Sequence, residues 1–171
     1  MSVAVAEIAI VKPRRARLTD AHGIYDLVNH FADREEMLHR TIPEICENIR
    51  DYLVVESEGR IAACAGLHIN LDTLAEIKSL AVREDLQGRG LGATLVRQCL
   101  DEALQLGVPT VFALTYSPAF FERLGFHRAP KSHLPRKVWG ECIRCPKFPD
   151  CGEIAVMKDL PPPGDFLILP A

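Results

Sequence analysis

The run Gln87-Gly88-Arg89-Gly90-Leu91-Gly92 has the composition of a phosphate cradle, and the ligand it suits is a pyrophosphate. It lies between a segment with strand character and one with the periodicity of a long helix. Glycine lets the main chain approach a phosphate closely, and the free N–H groups and partial positive charge at a helix start favour an anion. The same pattern also occurs as an ordinary Gly-rich turn. A second group is Cys142, Cys145 and Cys151, spaced C-x2-C-x5-C, with His133 nine residues upstream of the first. The leading pair has zinc-ligand spacing, whereas Pro146 and Pro149 allow a tight loop of reduced thiols instead.

The elements that must position these residues alternate along the chain. Residues 14–18 read as a strand, and Thr19-Asp20 caps a helix whose apolar stripe is Ile24, Leu27, Val28 and Phe31. Pro43 opens a short helix holding Ile45 and Ile49. Residues 52–56, 61–69 and 74–82 read as strands joined by turns at 57–60 and 70–73, and the almost continuous apolar run 61–69 implies burial on both faces. A long helix spans 91–106 and closes at Gly107-Val108-Pro109, followed by a strand at 110–114 and a short helix at 119–124. From Phe126 to Asp150 the chain reads as irregular, rich in Pro, Lys, Arg and Cys, before a last strand at 153–157. Pro161-Pro162-Pro163 cannot extend a sheet, and the apolar string Phe166-Leu167-Ile168-Leu169 either docks on its own domain, docks on a second subunit of a homodimer, or stays disordered.

With 171 residues, 48% of them hydrophobic, the chain suits one domain over 1–171, with 1–12 as an extension and 161–171 as a tail. Twenty Lys and Arg against 23 Asp and Glu give a formal charge of −3, so no global basic field favours nucleic acid. No stretch has the length of a membrane span or the pattern of a signal peptide, which implies a cytoplasmic protein whose six cysteines are reduced. Cys46, Cys64 and Cys99 sit among apolar neighbours, as small core residues do.

The glycine run resembles the acetyl-CoA loop of the GCN5-related acetyltransferase (GNAT) superfamily, with Gln87, Gly90 and Gly92 in the defining places. Leu80-Ala81-Val82 before it and Phe120-Phe121-Glu122-Arg123-Leu124-Gly125-Phe126 after it match that family's fourth strand and second motif in order and spacing. The resemblance covers most of the chain. It implies an α/β fold with a mixed, largely antiparallel sheet of six to seven strands, about four flanking helices, and a splay between strands 4 and 5. It also implies acetyl-CoA as co-substrate, its pantetheine arm bound by the main chain of Leu80, Ala81 and Val82 and its pyrophosphate by Gln87, Gly88, Arg89, Gly90, Leu91 and Gly92. Glu76 resembles the general base of several relatives, with Lys78, Leu80 and Val82 expected on its face of the strand; an ion pair of Glu76 with Lys78 is the alternative. Many relatives protonate the departing thiolate with a tyrosine where this chain has Phe121. Tyr116, Ser117 or water is left for that task.

Met37-Leu38-His39-Arg40-Thr41 is similar to a segment of bacterial N-acetylglutamate synthases whose arginine grips a substrate carboxylate. Leu134-Pro135-Arg136-Lys137-Val138-Trp139 resembles the basic region of the same synthases and of their short, kinase-free relatives, which also share a Cys-Pro-Lys-Phe-Pro-x-Cys run. The resemblance implies conversion of L-glutamate to N-acetyl-L-glutamate in arginine biosynthesis, with Arg40 and either Arg136 or Lys137 on the two carboxylates. Arg40 could instead pair with Glu36 or Glu44, and Arg136-Lys137 could be a solvated loop. The rival functions are acetylation of another amino acid, a peptide N-terminus or a small amine, and a non-catalytic acetyl-CoA-binding sensor.

Overall fold

The computed structural model describes residues 12–136 and 139–162. Among the described residues seven strands form one sheet: β1 (Arg14–Arg15), β2 (Tyr52–Ser57), β3 (Arg60–Leu71), β4 (Leu74–Val82), β5 (Thr110–Thr115), β6 (His127–Ala129) and β7 (Ile154–Asp159). Their order across the sheet is β1-β2-β3-β4-β5-β7-β6. β4 and β5 alone run parallel, because the 15-residue helix α3 (Leu91–Gln105) crosses over between them. All other neighbours are antiparallel.

Side-chain alternation divides the core between two faces. Leu53, Val55, Ala63 and Ala65 pack with Leu95, Val96 and Cys99 of α3 on one face. Tyr52, Val54, Cys64 and Ala81 pack with Ile24, Leu27 and Val28 of helix α1 (Ala21–Ala32) and Ile45 of α2 (Ile42–Glu47) on the other. Covered on both sides, β3 is buried from Ala62 to Leu67, as its unbroken apolar run predicts. A third cluster, Leu74, Phe112, Leu134 and Ala155, lies under α5 (Trp139–Cys142), with Trp139 packed against it.

Two expectations are corrected. The first strand stops at Arg15: the Asp20 carboxylate accepts from Arg17 N at 2.7 Å and pairs with Arg14, turning 18–20 into a 3-10 turn and leaving Leu18 64% exposed. The region after Phe126 is not wholly irregular, since β6 pairs with β7, a partnership that its His-Arg-Ala sequence does not signal. Among the described residues five helices flank the sheet, in line with the about four expected: the short α4 (Pro118–Glu122) lies where a helix at 119–124 was read, and the four-residue α5 is the addition. No helix among the described residues is long and apolar enough to cross a membrane. Residues 1–11, Lys137, Val138 and the tail from Pro163, which includes Phe166–Leu169, lie outside the described residues.

Candidate active site

β4 and β5 pair at only three positions, Leu74 with Thr110, Ala75 with Val111 and Glu76 with Phe112. Beyond Glu76 the strands part, while β4 stays bonded to β3 and β5 to β7. Main-chain groups of residues 77–82 that point toward β5 are therefore free for a ligand. A bulge shapes this stretch: Cys64 pairs with Ala81 and Gly66 with Lys78, so Ser79 and Leu80 together stand opposite Ala65. Ser79 takes a left-handed φ of 53° to make the bulge. The expected face is corrected in consequence. Leu80 and Val82 pack toward α3, opposite Glu76 and Lys78, and Ala81 replaces them toward α1.

The gap opens into a cleft of about 950 Å³. Leu80, Ala81 and Val82 line it, as do Gln87, Gly88, Gly90, Leu91 and Gly92; Arg89 is the one residue of the glycine run that does not. Gly88 and Gly90 have φ of 74° and 82°, and Gly90 immediately precedes α3, so the run delivers left-handed backbone to a helix start. Arg97 and Arg123 add positive charge to the wall. Sequence reading missed both, although Arg97 stands seven residues after Gly90, on the same side of the helix. Tyr116 and Ser117, just past the end of β5, line the opposite side. The Tyr116 hydroxyl accepts from Lys147 Nζ at 3.1 Å and lies 3.7 Å from Cys151 Sγ. Phe121 is buried, edge-on to Phe120 and Phe126, and supplies only packing.

At the closed end of the gap sits a charge cluster. Glu141 on α5 bridges two cations, accepting from Arg40 Nη2 at 2.8 Å and Lys78 Nζ at 3.0 Å. The side chains of Arg40 and Lys78 are only 11% and 10% exposed. None of the alternative pairings holds: Lys78 bonds Glu141, not Glu76, and Arg40 bonds Glu141, not Glu36 or Glu44, the latter capping α2 through Thr41. Burial alone would raise the Glu141 carboxyl, but the hydrogen bond and charge of Arg40, with Lys78, outweigh it and hold the group down to about 2. Glu76 is the converse case: burial pushes it up to about 7, the Glu141 charge adds to that rise, and Lys78, Arg40 and His68 only partly offset it. A carboxyl so placed is ionised in a usable fraction near neutrality and can take a proton there.

Asn29 was also missed. Its amide donates to Arg40 O at 2.8 Å and accepts from Arg40 N at 2.9 Å, tying the loop that carries Arg40 to the core side of α1. An Asn within an apolar helix stripe was the available signal. Asn29→Ala should leave two main-chain groups without partners, cost about 1–3 kcal/mol, and lower the melting temperature by about 2–4 °C per kcal/mol in a calorimetric scan.

Arg136 is exposed, and among the described residues it has no ion-pair partner; Lys137 is not described. Cys142, Cys145 and Cys151 come together around a separate cavity of about 310 Å³, which shares Leu114 and Glu153 with the cleft. Among the described residues no three His, Cys, Asp or Glu side chains are placed together to hold a metal ion, and the three cysteines are free thiols. Burial raises the Cys142 thiol to about 11, which fits that reading. Cys64 and Cys99 are fully buried, as expected, while Cys46 is half-buried.

Residues 19–126, which carry the glycine run, the gap and Glu76, match the model of the acetyltransferase (GNAT) family. The chain belongs to the GNAT acetyltransferases. An uncharacterized N-acetyltransferase of Chlorobaculum tepidum is 38% identical to this GNAT chain over 147 residues, covering 86% of it and 95% of the relative. An amino-acid acetyltransferase of Mycobacterium tuberculosis is 31% identical, over 77% of this chain and 76% of its own. Among solved structures, N-acetylglutamate synthase from Neisseria gonorrhoeae, complexed with coenzyme A and N-acetyl-glutamate, superposes with a TM-score of 0.80 at 25% identity. That match covers 91% of the GNAT chain and 36% of the synthase.

Proposed function

We propose that this GNAT protein is an amino-acid N-acetyltransferase that converts L-glutamate to N-acetyl-L-glutamate, serving arginine biosynthesis. The observation that carries the reading is the buried cation pair Arg40–Lys78, set two residues along β4 from a carboxyl with the pKa of a neutral-pH base. The kinship with amino-acid acetyltransferases supports it. The cleft fits acetyl-CoA: free β4 main chain suits the pantetheine amides, and left-handed Gly88 and Gly90 before α3 suit the pyrophosphate. Arg97 and Arg123 suit its remaining phosphate.

Acetyl-CoA supplies an acyl group activated as a thioester. Arg40 and Lys78 hold a carboxylate of the acceptor, which fixes the direction of its amine. Glu76 takes the proton that the amine must lose. Ser117 or Tyr116, at the β5 end of the gap, returns a proton to the thiolate, in the place that Phe121 leaves without a donor. Arg136 and Lys137 remain candidates for the second carboxylate.

The test is thiol release from acetyl-CoA by the pure protein with each amino acid in turn. Release with L-glutamate above all others is the expected result. Release with a different amine would redirect the acceptor assignment, and tight coenzyme binding with no release for any amine would make the protein a sensor.

A further inference from the structure

The cation pair assigned above to an acceptor is not waiting bare. Glu141 gives one carboxylate oxygen to each cation, Oε2 to Arg40 at 2.8 Å and Oε1 to Lys78 at 3.0 Å. It comes from 101 and 63 residues away along the chain, on the four-residue α5, so nothing local forces the contact. Arg40 Nε is meanwhile buried, with no partner among the described residues. Glu141 thus satisfies one edge of the guanidinium and leaves a donor that a better-placed carboxylate could use.

We propose that Glu141 is a specificity-determining residue of the acceptor site: its carboxylate stands where an acceptor's carboxylate binds, and an acceptor enters by exchanging its own carboxylate for it. The inference rests on the acceptor reading of Arg40 and Lys78. Two buried cations cannot be left unpaired, so the intrachain carboxylate serves as their counter-ion until another arrives. Exchange of one carboxylate for another is nearly neutral in charge and hydrogen bonds. A ligand with a single carboxylate and nothing more gains little by it. The gain must come from contacts that Glu141 does not make, namely a bond to Arg40 Nε, an amine beside Glu76 and a second carboxylate. The exchange therefore sets a threshold: it weakens every carboxylate by the same factor, so that a dicarboxylic amino acid with these further contacts still binds at ordinary concentrations, whereas a simple carboxylic acid that bare cations would hold does not.

Glu141 shares the four-residue α5 with the single tryptophan of the chain, Trp139, packed over the third core cluster, so release of Glu141 from the cations is expected to be read there. The full-length protein is titrated with L-glutamate, glutarate and acetate while Trp139 fluorescence is followed, and KM values are measured for L-glutamate and acetyl-CoA. Saturating L-glutamate is expected to change the wild-type fluorescence. In Glu141→Gln the competitor is gone, so Kd should fall by about tenfold for acetate, glutarate and L-glutamate alike, because one displaced carboxylate taxes every ligand of the cation pair by the same factor. KM for L-glutamate should fall more than KM for acetyl-CoA, a split that a merely structural ion pair would not produce. Glu141→Asp, which keeps the charge on a shorter arm, should fall between and serves if the Gln variant does not fold. Failure of both variants to tighten any carboxylate, or a wild-type Trp139 signal that no carboxylate moves, overturns the proposal. Should wild type fail to acetylate L-glutamate while the variants still tighten glutarate and acetate, the glutamate reading falls and the exchange stands; acetylation of glutamate with no tightening sinks the exchange alone.

Discussion

Glu76→Gln is expected to lower kcat by about 10²–10⁴-fold, the range for loss of a general base, with a far smaller change in KM for acetyl-CoA. The isostere keeps the volume and removes only the ability to accept the amine proton. The wild-type pH profile gives a second reading of the same group. Burial raises its pKa to about 7, so the base form is scarce at pH 6 and dominant at pH 8, and kcat/KM should climb through that interval. The Gln variant should lose this limb. Stability follows the opposite sign. A carboxyl raised in the folded state contributes fully below the ordinary carboxylate range, and its contribution is lost as pH rises through about 7. The melting temperature of Glu76→Gln should therefore overtake that of wild type on the alkaline side, as a differential scan in matched buffers would record.

Arg40→Ala should raise KM for L-glutamate by about 10–100-fold, corresponding to loss of a charge-assisted hydrogen bond worth roughly 1.5–3 kcal/mol. KM for acetyl-CoA should move by much less, because the cofactor cleft is lined by Lys78 and the glycine run and not by Arg40. Arg40→Lys should recover only part of the loss, since an ammonium cannot present two parallel donors to a carboxylate. Equal rises in both KM values after Arg40→Ala would mean that the guanidinium supports the fold rather than the acceptor.

Much of this arrangement was legible in the residues. Alternation and turn chemistry located β2 to β5 and α3 to within a residue or two, and the Gly-rich run fell where the cleft meets a helix start. What escaped was held by tertiary contact. β6 exists because β7 offers it a free edge, and nothing in His127-Arg128-Ala129 declares a strand. The bulge at Ser79 and Leu80 cannot be read from a segment whose period-two pattern looks intact, yet it turns Leu80 and Val82 to the other face. Glu141 lies in a Pro- and Cys-rich stretch without periodicity, and its importance depends on Arg40, 101 residues away. Composition at position 141 carries no trace of that partner.

The sheet is in effect two plates, β1-β2-β3-β4 and β5-β7-β6, riveted by three residue pairs. Coenzyme seated between them would act as mortar, and its binding free energy would add directly to that of the fold. A cell's supply of acetyl-CoA would then govern how long each copy of the protein resists unfolding and proteolysis, as well as how fast it turns over.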